Sequence, residues 1–91
     1  MEPGPIAQAI RQLRSVAHRL GSSLPLTESA RLVLRGAMDE LRATYEGQTV
    51  PAGISAPVLA AIAHLESAMA DVRGAVEKAK QEAVNLGKVP E

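Results

Sequence analysis

Residues Ser55–Leu86 read SAPVLAAIAHLESAMADVRGAVEKAKQEAVNL. Val58, Ile62, Leu65, Met69, Val72, Val76, Ala79, Ala83 and Leu86 recur at alternating intervals of four and three. On an α-helix that spacing places all nine on one face. The repeat runs unbroken for four heptads, and a strict 3.5-residue period favours a left-handed supercoil against a partner helix. Ser55 offers a capping oxygen, and Ala56-Pro57 suits a first helical turn. Gly87 then ends the pattern and Pro90 prevents its resumption. The spacing therefore predicts a helix over 56–86, roughly 46 Å long at 1.5 Å per residue.

Two shorter helices are expected before it. The first runs from about residue 5 to 20, with Pro5 near its start and Gly21 as a C-terminal cap. Ile6, Ile10, Leu13, Ala17 and Leu20 form its apolar face. Gly21-Ser22-Ser23-Leu24-Pro25 reads as a turn or sharp break. The second helix runs from about 26 to 46, with a start between Ser23 and Thr27. Ala30, Leu34, Ala37, Leu41 and Thr44 carry its face, widened by Met38 and Tyr45. Arg35–Asp39 and Arg42–Glu46 are spaced as surface ion pairs one turn apart. Gly47 to Ile54 is an aperiodic linker. The expected architecture is all-α and a single domain over 1–91. It is a helical hairpin or three-helix bundle with one long, coiled-coil-like C-terminal helix. Neither short helix can cover the long one alone. They form one broken arm against it, or they pack side by side on half of it.

Composition narrows the function. The chain has 91 residues, ten basic and ten acidic side chains, no Cys, Trp or Phe, and one Tyr. Sixteen of its residues are Ala. A core of Leu, Val, Ile, Met and Ala suits close helix packing. The lack of cysteine excludes a disulfide scaffold and thiolate chemistry. Zero net charge argues against a nucleic-acid coat protein. No secretory leader and no apolar run near ~20 residues stands out, so no membrane span is expected.

Candidate chemistry is sparse. His18 and His64 have no second metal-type ligand at i+3 or i+4, and Asp71 lies seven residues from His64, about 10 Å along a helix. Ser55 or Ser67 beside His64 lacks the strained nucleophile turn and oxyanion loop of a hydrolase. The glycines fit no phosphate-cradling pattern. No catalytic, cofactor-binding or metal-ligating residue is therefore assigned, and the chain is not expected to be an enzyme. Arg11, Arg14 and Arg19, with His18, give the first helix an all-basic character. They are candidate contacts for an acidic partner, or a solvated flank paired with neighbouring acids. Leu24, Leu26 and Leu32 could mark a small docking patch. Gly53-Ile54-Ser55 before a helix has the look of a helix-turn-helix turn, so a small DNA-binding regulator is the alternative reading. Against it, Pro51 falls inside the required first helix, and residues 55–65 hold no Arg or Lys.

At Tyr45-Glu46-Gly47 a helical arm ends in an aromatic-x-Gly turn at mid-chain, and a second arm follows. With Ala37, Leu41, Val58, Leu59, Leu65, Ala68 and Ala75, this layout over roughly 28–86 resembles the small helical hairpins of the WXG superfamily. These are associated with type VII secretion in high-GC Gram-positive bacteria. The chain looks most like their tryptophan-less relatives, with Tyr45 in the place of Trp. The family's C-terminal Tyr-x-x-x-Asp/Glu export signal is absent, since no Tyr follows position 45. The resemblance implies homo- or heterodimers, acting as a secreted substrate, chaperone-like partner or toxin leader.

Together these readings predict a non-catalytic protein–protein interaction module without a cofactor. It self-associates, as a homodimer, or pairs with a partner helix, and nucleic acid is not the expected ligand. The nine seam residues Val58 to Leu86 named above are the expected interaction surface. It resides in the cytoplasm or is exported without a cleavable signal peptide.

Overall fold

The computed structural model describes residues 4–88 and is all-α, with no strand among them. Its elements are α1 (Pro5–Ser22), α2 (Leu24–Thr44) and α3 (Ala52–Gly87). α3 ends at Gly87, where the sequence places its end, and Pro90, expected to prevent its resumption, lies outside the described residues. The chain divides into two compact units, residues 1–24 with 70–91, and residues 25–69. Each is a pair of helices. α1 has the C-terminal half of α3, and α2 has the N-terminal half, so the two short helices do not share one half.

In the first unit α1 starts where the sequence predicts. Gly4 is extended, its carbonyl accepts the Gln8 N–H at 3.0 Å, and Pro5 follows where a missing donor costs nothing. The buried side chains are Ala17, Val76 and Ala83. Two of the three are alanine, which lets helix backbones approach closely. Ile10 Cδ1 reaches to within 3.9 Å of the space a Cβ on Gly87 would fill, so the start of α1 meets the end of α3.

The second unit has a bulkier core of Met38, Val50, Ile62 and Met69. Unbranched methionines fill irregular space between the helices. Arg35 of α2 reaches Glu66 of α3, and Met38 and Arg42 line a groove with Ile62 and Leu59. As α2 advances, its neighbours on α3 recede, so the pair is antiparallel. Val50 is the residue the periodicity missed. It sits in the loop before α3 and is buried nonetheless.

Four expectations change. Gly21 is not a cap: α1 runs through it to Ser22, without a positive φ. The break is only Ser23, whose N–H reaches the Leu20 carbonyl at 3.2 Å. Pro25 has no N–H, so carbonyls there must find other donors. The Ser22 and Ser23 hydroxyls donate to the Arg19 and Leu20 carbonyls, each at 2.7 Å. α3 begins at Ala52 rather than 56, because the Pro51 carbonyl accepts the N–H groups of both Ile54 and Ser55 at 3.0 Å. Ser55 is thus inside the helix, and Gly53-Ile54-Ser55 is its first turn and not a turn between helices.

The ion pairs also differ. Arg42 pairs with Asp39 at 3.4 Å and Arg35 crosses to Glu66 at 3.3 Å. Glu46 cannot serve Arg42 one turn on, because its φ of 48° takes it out of the helix. The buried face of α2 is also rotated by about one residue, or ~100°. Ala30, Ala37 and Thr44 are exposed, while Arg31, Met38 and Tyr45 turn inward beside Leu34 and Leu41.

The α2–α3 loop turns on two successive left-handed residues, Glu46 at φ 48° and Gly47 at φ 82°. A side chain in that region costs roughly 1–2 kcal/mol, and glycine costs none of it. No atom lies within 4 Å of a Cβ built on Gly47, so the backbone alone demands glycine there. Gly47→Ala should therefore destabilise by about 1 kcal/mol, and Glu46→Gly should be neutral or stabilise by up to about 1 kcal/mol. Urea denaturation followed by circular dichroism reads both.

Candidate interaction surface

The nine seam residues of α3 are the places where the single chain buries itself. Ile62, Met69, Val76 and Ala83 are buried at every seventh position. Val58, Leu65, Val72, Ala79 and Leu86 are half-buried between them. The supercoil period is real, but its partner is the chain's own α2 in one unit and α1 in the other. The residues expected to form an interaction seam thus line the helix contacts within each unit.

The polar contacts of the second unit gather on one edge of α2. Glu28 and Arg31 form a two-point ion pair, with Arg31 Nε donating to Oε2 at 2.9 Å and a terminal nitrogen to Oε1 at 2.5 Å. This hydrogen bond, and the fields of Glu28 and Glu66, hold the Arg31 guanidinium pKa above its ordinary value. It stays charged at any working pH. Arg35 meets Glu66 across the helix pair. Both partners are about half exposed, so the bridge sets register more than it stabilises.

Next to it, Arg35, Met38, Asp39, Arg42, Leu59, Ile62, Ala63 and Glu66 line an open groove of about 260 Å³. That falls short of the ~300–1,000 Å³ usual for a ligand pocket. His18 and His64 are exposed. No group of three or more His, Asp or Glu among the described residues is placed to hold a metal ion.

Arg11, Arg14 and Arg19 are exposed and make no ion pair among the described residues. The acids among the described residues do not pair with them. Arg11 and Arg14 border a shallow hollow with Ala7 and Ile10.

The exposed apolar surface lies elsewhere than the sequence reading placed it. Leu26 is 75% exposed and Val33 71%, seven residues apart on one face of α2. Leu32 is also exposed, but six residues from Leu26 it points to another side of the helix. Leu24 is half-buried. Leu26 and Val33 share a heptad spacing, but the periodicity places Ala30 and Ala37 beside them on the inward face. On α3, Ile54 and Leu59 are exposed as well.

By length and composition α3 is apolar enough to cross a membrane. Read in pieces, the sequence shows no such run, because Pro51, Gly53 and Pro57 punctuate it. One continuous helix from Ala52 joins the pieces.

Leu65→Asp or Ile62→Asp should abolish the helical circular-dichroism signal of the isolated chain, since each leaves a charge without a partner at the seam. Arg35→Ala should cost less than about 1 kcal/mol. No protein-family model, curated protein or solved structure matches this chain.

Proposed function

We propose that this chain is a non-catalytic protein–protein interaction module that associates through a helix face, with itself or with a partner helix. The observation that carries the reading is the pair Leu26 and Val33, which stand 75% and 71% exposed on a helix whose other side is already seated on α3. The two side chains lie seven residues, or about two turns, apart on that face. Each unit is also thin. No described side chain falls below 2% exposure, as expected of helices that meet along a single line. A second layer of helix would supply what these pairs lack.

More specifically, we read the chain as a small helical protein of type VII-secretion character, working in the cytoplasm or exported without a cleavable leader. The turn that carries the resemblance, Tyr45-Glu46-Gly47, has two left-handed residues and reverses the chain between α2 and α3. A second reading is membrane insertion of α3, which has its length and composition in favour. Ile62 and Met69 of that stretch are buried in the second unit, but only 11% of its apolar window is. DNA regulation has lost its motif, since residues 53–55 are helical.

Analytical ultracentrifugation up to about 1 mM, where even ~4 kcal/mol of association registers, tests the reading. Association that persists in 1 M salt is the expected result, because apolar faces are not screened. A chain that stays monomeric and instead floats with lipid vesicles, or binds DNA with steep salt dependence, would overturn it.

A further inference from the structure

We infer that the exposed side of α1 around Arg11 and Arg14 is a docking surface for an acidic helix of another protein, one that carries glutamates a single turn apart. This rests on the interaction-module reading and names the chemistry of a partner. The surface is separate from Leu26 and Val33.

The chain pairs its cations elsewhere and leaves these alone. The three arginines of α2, and Lys78 and Lys80 of α3, each have a carboxylate within 3.8 Å. Arg11 and Arg14 are exposed and make no ion pair among the described residues. No Asp or Glu occurs from residue 5 to residue 27, so α1 has no carboxylate of its own to offer one turn away. The C-terminal half of α3 belongs to the same unit, and there Glu77 and Glu82 are held by Lys80 and Lys78 instead.

Position on the helix gives the surface a shape. At ~100° per residue, Arg11, Arg14 and His18 fall within an arc of ~60° and span ~10 Å of the axis. Arg19 stands ~80° round from Arg11, outside that arc. Arg11 and Arg14 also border a hollow whose other walls are Ala7 and Ile10. Two guanidinium groups beside an apolar wall suit a short apolar stem that ends in an anion. A glutamate has that form: its methylenes lie on Ala7 and Ile10, and its carboxylate meets a planar, two-pronged donor. Glutamates three or four residues apart on a partner helix are spaced as Arg11 and Arg14 are, so two such pairs form together.

Other anionic partners fit less well. The unit that holds α1 has no Phe, Trp or Tyr on which a nucleic-acid base could stack. The apolar face of α1, from Ile6 through Ala17 to Leu20, is buried or half-buried and is not available to sink into lipid. A basic stripe without such a second signal holds a bilayer only weakly.

The test uses the isotope-labelled full-length chain in low salt. The probe is a synthetic alanine-based helical peptide with glutamates one turn apart along one face. Nuclear magnetic resonance should show amide shifts confined to residues 7–18, with a dissociation constant near ~1 mM. The same peptide with Gln for Glu should cause none. Arg11→Gln and Arg14→Gln should each weaken binding about three- to fivefold. Arg19→Gln removes the same charge from the same helix and should weaken it less than about twofold. All three change exposed side chains, so helicity by circular dichroism should match the natural chain.

No shift with the Glu peptide, or an equal shift with the Gln peptide, overturns the proposal. So does an Arg19→Gln loss as large as that of Arg14→Gln, which would mean a diffuse field and not a site. If phosphatidylserine vesicles or single-stranded DNA shift the same amides more strongly than the peptide, the acidic-helix partner is wrong. Each of these failures leaves the module reading standing, because sedimentation tests that reading without the probe.

Discussion

The structure depends on one repeat. Ile62, Met69, Val76 and Ala83 present a buried side chain every seven residues along α3, and all packing in both units is organised on that line. A two-helix contact has no interior in the sense that a larger domain has one. The burial it offers is a stripe, with half-exposed residues on either side. The residues on that stripe differ between the two units. Alanines at 17 and 83 suit close approach, whereas Met38, Ile62 and Met69 suit a wider gap filled by flexible side chains. Val50, from the loop, adds a plug to the second unit that no helix supplies.

The ends of the helices follow from backbone accounting. A helix start leaves unpaired donors and a helix end leaves unpaired acceptors. Pro5 stands where a donor would be unpaired anyway, and the carbonyl of Pro51 takes two N–H groups and thereby starts α3 a turn early. At the α1–α2 junction the acceptors are served by serine hydroxyls, so the chain needs only one non-helical residue there. At the end of α2, by contrast, the chain reverses direction. That takes positive φ at Glu46 and Gly47, and the glycine is required by the backbone alone.

The polar surface is sorted rather than random. The ion pairs among the described residues lie along α2, across to Glu66, and along the end of α3, while the arginines of α1 are left without acidic partners there. Net charge is zero for the chain but opposite for its two units.

The all-α class, the three helices and the nine-residue seam were legible in the sequence, because a 3.5-residue period of apolar side chains has no other good solution than a helix against a helix. Which side of α2 turns inward was not. Its apolar surface, from Leu26 through Ala30, Leu34, Ala37 and Met38, is wider than one neighbouring helix can cover, so periodicity alone left the choice open. Packing settled it: Met38 fits beside Ile62 in the groove, Arg35 reaches Glu66, and the helix turns by about one residue. That rotation takes Ala30 and Ala37 out of the core and leaves them beside Leu26 and Val33 on the surface. A sequence states how much of a helix is apolar, but only the competition among neighbours for a single contact line decides which part of it remains uncovered.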